Sequence, residues 1–134
     1  AIQPAGRSIL VVEDEVISRM YLQQFLVAQG WQVVACRNGE EGLAAYQQAP
    51  PDLILMDGQM PGMDGFEVIH RIRAQETESG DARTPIIAIT GYAHATDRNH
   101  FMQAGADAFV SKPINEHELV RIMGQLLTAT MQSS

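Results

Sequence analysis

Five positions carry side chains that could do chemistry together. Asp57 closes the apolar run Leu53-Ile54-Leu55-Met56 and leads at once into a loop of Gly, Pro and further Asp at 58–65. Glu13 and Asp14 close the run Ile9–Val12, Thr90 closes Ile86–Ile89, and Lys112-Pro113 follows Phe109-Val110-Ser111. If these ends meet, three carboxylates share one place. At an effective dielectric of about 20, two unit charges ~5 Å apart repel by about 3 kcal/mol. Lys112 offsets one charge, and a divalent cation is the natural remainder. An oxygen-only donor set points to a hard ion such as Mg²⁺, which keeps waters and shares its shell with phosphate. No His or Cys pair is placed to make a zinc site.

Taken singly, each position has a plainer reading. Asp57 could be a solvated aspartate ending a strand, and Glu13-Asp14 could cap the helix that follows. Lys112-Pro113 could be a surface turn, and Thr90 an ordinary β-branched strand residue. The scattered His70, His94, His100 and His117 read as surface residues, and Cys36 and the methionines as structural ones.

What must position the five is a set of strands alternating with helices. Strands are expected at 8–13, 31–35, 52–57, 85–90 and 107–111. Three are almost continuously apolar, as parallel strands covered on both faces are. Between them lie helical patterns: Ile17, Tyr21 and Phe25 with Leu22 and Leu26 beside them; an Ala- and Gln-rich stretch from Glu41 to Gln48; Phe66 to Arg73; a weak pattern from Ala95 to Ala104; and Leu119 to Leu127. Gly30 and Gly105 fall where helices stop, and Asn38 and Asp64 where they start. Gly62 and Gly65 permit positive φ in the turn after Asp57. The apolar-free stretch 76–84 reads as a mobile loop. Five strands and five helices in alternation specify an α/β domain, doubly wound around an all-parallel sheet, whose ligands bind beyond the C-terminal strand ends. All five chemical positions lie at those ends.

The 134 residues make one domain, and a formal charge of −7 argues against nonspecific nucleic-acid binding. No apolar run approaches the roughly 18 residues of a membrane span, and the polar start is no signal peptide. The single cysteine excludes an internal disulfide and suits a reducing cytosol. The chain opens on Ala1 rather than methionine, so a processed or excised chain is expected, with 1–7 and 129–134 as tails around a domain at 8–128.

"VVEDE" (11–15), "LILMDGQMPGMDGFE" (53–67), "IIAITGYA" (86–93) and "GADAFVSKPI" (105–114) resemble, in order and spacing, the four signature segments of receiver domains of two-component response regulators. The resemblance runs from about Arg7 to Thr128. It implies a flavodoxin-like sheet of order 2-1-3-4-5 with helices on both faces. It makes Asp57 the phosphoacceptor, and Glu13, Asp14, Asp57 and the backbone carbonyl of Gln59 the Mg²⁺ ligands. It implies that Lys112 pairs with Asp57 and then with the phosphoryl group, and that the Lys112-Pro113 peptide is cis. Thr90 donates its hydroxyl to a phosphoryl oxygen, and Phe109 is the aromatic whose rotamer follows Thr90. Gln59 and Tyr92 occupy the positions that modulate dephosphorylation; Tyr92 shielding the phosphoryl group from water implies a long-lived phosphoform. Gly58 departs from the bulkier residue common after the phosphoacceptor.

The implied chemistry is autocatalytic phosphotransfer and nothing further. The implied partners are a histidine kinase or histidine phosphotransfer domain and a downstream protein, in the cytoplasm, without direct nucleic-acid contact or membrane insertion. Two contexts stay open. The wording "DGQMPGMDGFE" and the long 76–84 stretch favour the receiver of a hybrid sensor histidine kinase; the other is a stand-alone or DNA-binding-type regulator. A different class, a phosphatase with an aspartyl nucleophile, commonly needs a second Asp where Gln59 stands.

Overall fold

The computed structural model describes residues 7–58, 63–91 and 95–133, the last including 129–133 and the first of α4, 95–97, by backbone alone. Strands β1 (Ser8–Val12), β2 (Gln32–Cys36), β3 (Leu53–Asp57), β4 (Ile86–Thr90) and β5 (Ala108–Ser111) alternate with helices α1 (Val16–Ala28), α2 (Gly39–Gln48), α3 (Gly65–Ser79), α4 (Ala95–Ala104) and α5 (Glu116–Ser133). The sheet runs β2-β1-β3-β4-β5 with every pairing parallel, so the expected order and winding hold.

The continuous apolar runs follow from two-sided cover. Leu10, Val12, Ile54, Met56, Ile86 and Ala88 join Tyr46, Val68, Ile69, Ile72 and Phe101 in one core cluster, beneath α2, α3 and α4. The alternate residues Ile9, Val11, Leu53, Leu55, Ile87, Ile89 and Val110 join Leu22, Leu26, Leu119, Met123 and Leu127 in the other, beneath α1 and α5. Burying each such aliphatic side chain contributes about 1.5–3 kcal/mol. β3 and β4 are buried at every residue, whereas the edge strand β2 leaves Val34 half-exposed.

The predicted punctuation is met at several places. Asn38 Oδ1 accepts from Glu41 N at 2.8 Å and Asp64 Oδ1 from Glu67 N at 3.0 Å, opening α2 and α3. Gly30 and Gly105 adopt φ of 100° and 119°. Elsewhere the structure sharpens what the pattern leaves open. On α1 the core row is Leu22 and Leu26, while Ile17 is 76% exposed and Tyr21 is exposed too. Gly65 does not have positive φ. It opens α3 so close to β3 that a Cβ would lie 2.4 Å from the Asp57 carbonyl oxygen. Gly62 lies outside the described residues.

The stretch 76–84 is not all loop, because α3 continues to Ser79 and buries Glu76. An apolar pattern could not reveal this, since the buried group is a paired carboxylate. Glu76 accepts from Arg73 Nη1 at 2.9 Å and from Thr84 N at 2.8 Å. Arg73 also donates to the Gly105 and Thr84 carbonyls and to Asp107, at 2.8–2.9 Å. These bonds tie α3, the approach to β4 and the end of α4 into one unit. The last helix likewise continues past Thr128, through the segment expected to be a tail.

Candidate functional site

Parallel pairing brings the C-terminal ends of β1, β3, β4 and β5 to one edge. Asp57 is the last residue of β3, Thr90 the last of β4, and Glu13-Asp14 and Lys112 directly follow β1 and β5. One carboxylate oxygen each from Glu13, Asp14 and Asp57 lies within 4.8 Å of the others. Glu13 and Asp57 are 1% and 2% exposed, and Thr90 is buried at the end of β4, in register with Ser111. Asp14 is more exposed than either acid.

Lys112 faces this cluster, its Nζ 2.8 Å from Glu13 Oε1 and 3.7 Å from Asp57 Oδ2. Burial favours loss of the Lys112 proton. The hydrogen bond to Glu13 and the charges of Asp57 and Glu13 outweigh that and hold its pKa above the ordinary value. The lysine therefore stays an ammonium, which the neighbouring acids require. Its backbone N donates to the Thr90 carbonyl at 2.8 Å, and the Lys112–Pro113 peptide is cis, as the resemblance implies.

The backbone around the acids is held from several sides. Glu13 N donates to Cys36 O at 3.0 Å and Gly58 N to Ile89 O at 2.9 Å, continuing the sheet ladder past its regular end. Glu13 Oε2 accepts from Glu15 N at 3.2 Å, so the acid that could have capped α1 bonds instead just outside it; the N-cap position itself is Glu15, without a side-chain cap. Arg19, one turn into α1, reaches back with Nη1 to the carbonyls of Glu13 (2.9 Å) and Asp14 (3.3 Å). No signature segment contains Arg19; its one clue in the sequence is a lone cation five and six residues after two acids. Cys36 is structural, with burial pushing its thiol pKa up.

Phe109 is partly buried on β5, its ring under the Arg98 guanidinium at 5.1 Å and tilted against Phe101 at 6.0 Å. Gln59 and Tyr92, two residues named from the sequence, lie outside the described residues. The fit to a hard divalent cation rests on the donors present: three clustered carboxylates carry three negative charges against the single charge of Lys112, and all donors are oxygen. Among the described residues this is the only grouping of three or more His, Cys, Asp or Glu side chains with such geometry.

A 2-1-3-4-5 sheet that gathers an acid triad and a facing lysine at its C-terminal edge defines the receiver class. The chain belongs to the response regulator receiver domain family, whose pattern matches residues 9–123. The sensor protein GacS of Pseudomonas syringae pv. syringae is 38% identical over 115 residues, which are 86% of this chain and 13% of GacS, so this chain spans a small part of that relative's length. The receiver domain of the sensor histidine kinase PA1611 of Pseudomonas aeruginosa PAO1, solved with a magnesium ion coordinated in its active-site cleft, superposes with a TM-score of 0.83 at 34% identity, covering 92% of this chain and 99% of that one. The receiver domain of the response regulator Ssk1 of Saccharomyces cerevisiae, co-crystallised with the histidine phosphotransfer protein Ypd1, superposes with a TM-score of 0.83 at 28% identity, covering 90% of this chain and 87% of that one.

Proposed function

We propose that Asp57 accepts a phosphoryl group from a phosphohistidine on a kinase or phosphotransfer protein. An Asp57 carboxylate oxygen attacks phosphorus, the phosphorus–nitrogen bond breaks, and its electron pair returns to the imidazole, leaving an acyl phosphate on Asp57. Such transfer passes through a loose, roughly in-line transition state, so the protein's work is positioning and neutralising oxygen charge. The observation that carries this reading is the Glu13–Asp14–Asp57 cluster with the Lys112 ammonium against it.

Glu13, Asp14, Asp57 and the backbone carbonyl of Gln59 would hold Mg²⁺, Glu13 acting mostly through a bound water. When bound, the cation supplies positive charge to the phosphoryl oxygens. The chain's own residues do the rest. Lys112 shifts its pairing from Asp57 to the phosphoryl group, which its raised pKa permits at neutral pH. Thr90 donates its hydroxyl to a phosphoryl oxygen. As Thr90 is drawn over, Phe109 turns into the space it leaves, so a local charge event biases the surface around α4. Tyr92 shields the phosphoryl group from water.

A helical phosphodonor has a surface to meet. α1 starts directly after Asp14 and Glu15, and its first two turns expose Val16, Ile17 and Met20 beside the acidic cleft. The resemblance to GacS and PA1611 favours a hybrid sensor kinase as the parent. No described helix is long and apolar enough to cross a membrane, and we place this domain on the cytoplasmic side, where its phosphodonor works. Intact-mass measurement after acetyl phosphate treatment tests the chemistry. A Mg²⁺-dependent gain of one phosphoryl group that Asp57→Asn abolishes is expected; an equal gain in the variant would refute it.

A further inference from the structure

Behind the phosphoacceptor, Gly58 leaves room for an aromatic ring. A Cβ at position 58 would stand 1.7 Å from Phe101 Cζ, so no side chain fits there while Phe101 keeps its place. Phe101 comes from the last turns of α4, is 1% exposed, and stacks on Phe66 of α3 with ring centroids 4.2 Å apart. It also tilts against Phe109 at 6.0 Å, and Arg98, whose guanidinium lies over the Phe109 ring at 5.1 Å, stands on α4 as well. The space a side chain after the phosphoacceptor would have filled is thus filled from α4.

We infer that Phe101 is a positioning residue through which α4 follows the phosphoacceptor turn, by direct contact with Gly58 and alongside the route through Thr90 and Phe109. The inference rests on the proposed phosphoacceptor role of Asp57 and adds a coupling residue to it. Packed rings do not compress smoothly, and a cluster of this kind answers a displacement by repacking between discrete arrangements. A shift of the backbone at 57–58, or a turn of the Phe109 ring, removes a wall of the Phe101 site, so the helix carrying Phe101 must move with either. Phe66 stacks on a face of the ring whose Cζ edge meets Gly58, so α3, α4 and the phosphoacceptor turn share one packed contact. The contact argued for Phe101 is with Gly58 rather than with a reacting side chain, so its loss should separate uptake of the phosphoryl group from the response of α4.

The test compares the wild-type chain, Phe101→Leu, Gly58→Ala and the double variant, each with and without acetyl phosphate and Mg²⁺. Uptake is read by intact mass, and α4 by hydrogen exchange of residues 95–104. In the wild type the phosphoryl group should change α4 exchange by about fivefold or more. Phe101→Leu should keep its uptake while that change falls to within about twofold. The double variant, whose added methyl refills part of the contact, should recover some of it. Thermal melts supply a second, independent reading: Gly58→Ala should lower the melting temperature clearly when Phe101 is in place and much less when combined with Phe101→Leu. A wild-type α4 response retained by Phe101→Leu, or an equal cost of Gly58→Ala in both backgrounds, would overturn the inference. Absence of uptake in the wild type would instead remove the phosphoacceptor reading on which it stands.

Discussion

Asp57, Glu13 and Asp14 repel one another across less than 5 Å, and Lys112 balances only part of that charge. Without a divalent cation, Asp57→Asn should therefore stabilise the fold by about 1 kcal/mol, raising the melting temperature by a few degrees; a lowered value in Mg²⁺-free buffer would show that Asp57 is held by more than it repels. Lys112 sets the opposite case. Its pKa in the folded chain lies above the ordinary 10.5. Its stabilising contribution is then fully present below about pH 10.5 and is lost as pH rises through the higher folded value. Unfolding curves between neutral pH and the alkaline limit should show that loss in the wild type, and Lys112→Met, already weakened at neutral pH, should show a smaller one. An identical alkaline slope in both would contradict the pairing. At this scale the sequence is legible because chemistry constrains residue type: acids, a hydroxyl and an ammonium can be named without coordinates. Arg19 is not, since any surface arginine looks the same until α1 turns it back onto the Glu13 and Asp14 carbonyls.

Helices and strands are legible where burial is apolar and periodic. β1, β3 and β4 announce themselves by near-continuous apolar runs, and helices cover both faces of the sheet they form. α3 past Arg73 is not legible, because its buried residue is Glu76, satisfied by Arg73 and Thr84 N. On α1 the periodicity is real but does not say which of two adjacent rows is buried; Leu22 and Leu26 are, and Ile17 is not. Gly65 reads from sequence as a φ position, when the constraint is the nearness of the Asp57 carbonyl. The Arg73 cluster permits a direct check. Arg73 is 12% exposed and bonds to Glu76, Asp107 and the Gly105 and Thr84 carbonyls. Arg73→Ala leaves two acids short of their cation and should cost about 3–5 kcal/mol in chemical denaturation. A loss under about 1 kcal/mol would mean that solvent and Arg83, which also pairs with Asp107, take over the load.

On the scale of the whole molecule, the doubly wound topology gathers four strand ends at one edge and sets the start of α1 beside them. The exposed Ile17 lies on that rim, so Ile17→Asp should slow transfer from a phosphohistidine protein about tenfold or more while leaving uptake from acetyl phosphate nearly unchanged. Equal rates from the protein donor would detach α1 from docking. Such a surface is invisible to pattern reading, which assigns regularly spaced apolar residues to the core. The proposed site, switch and docking face all depend on where the phosphoryl group sits, and borohydride reduction answers that directly. Reduction of an aspartyl phosphate converts the aspartate to homoserine, and peptide mass mapping locates it. After phosphorylation with Mg²⁺, homoserine should be found at position 57 and nowhere else; homoserine in place of Asp14, or phosphoryl retained on a histidine with position 57 unchanged, would contradict the assignment.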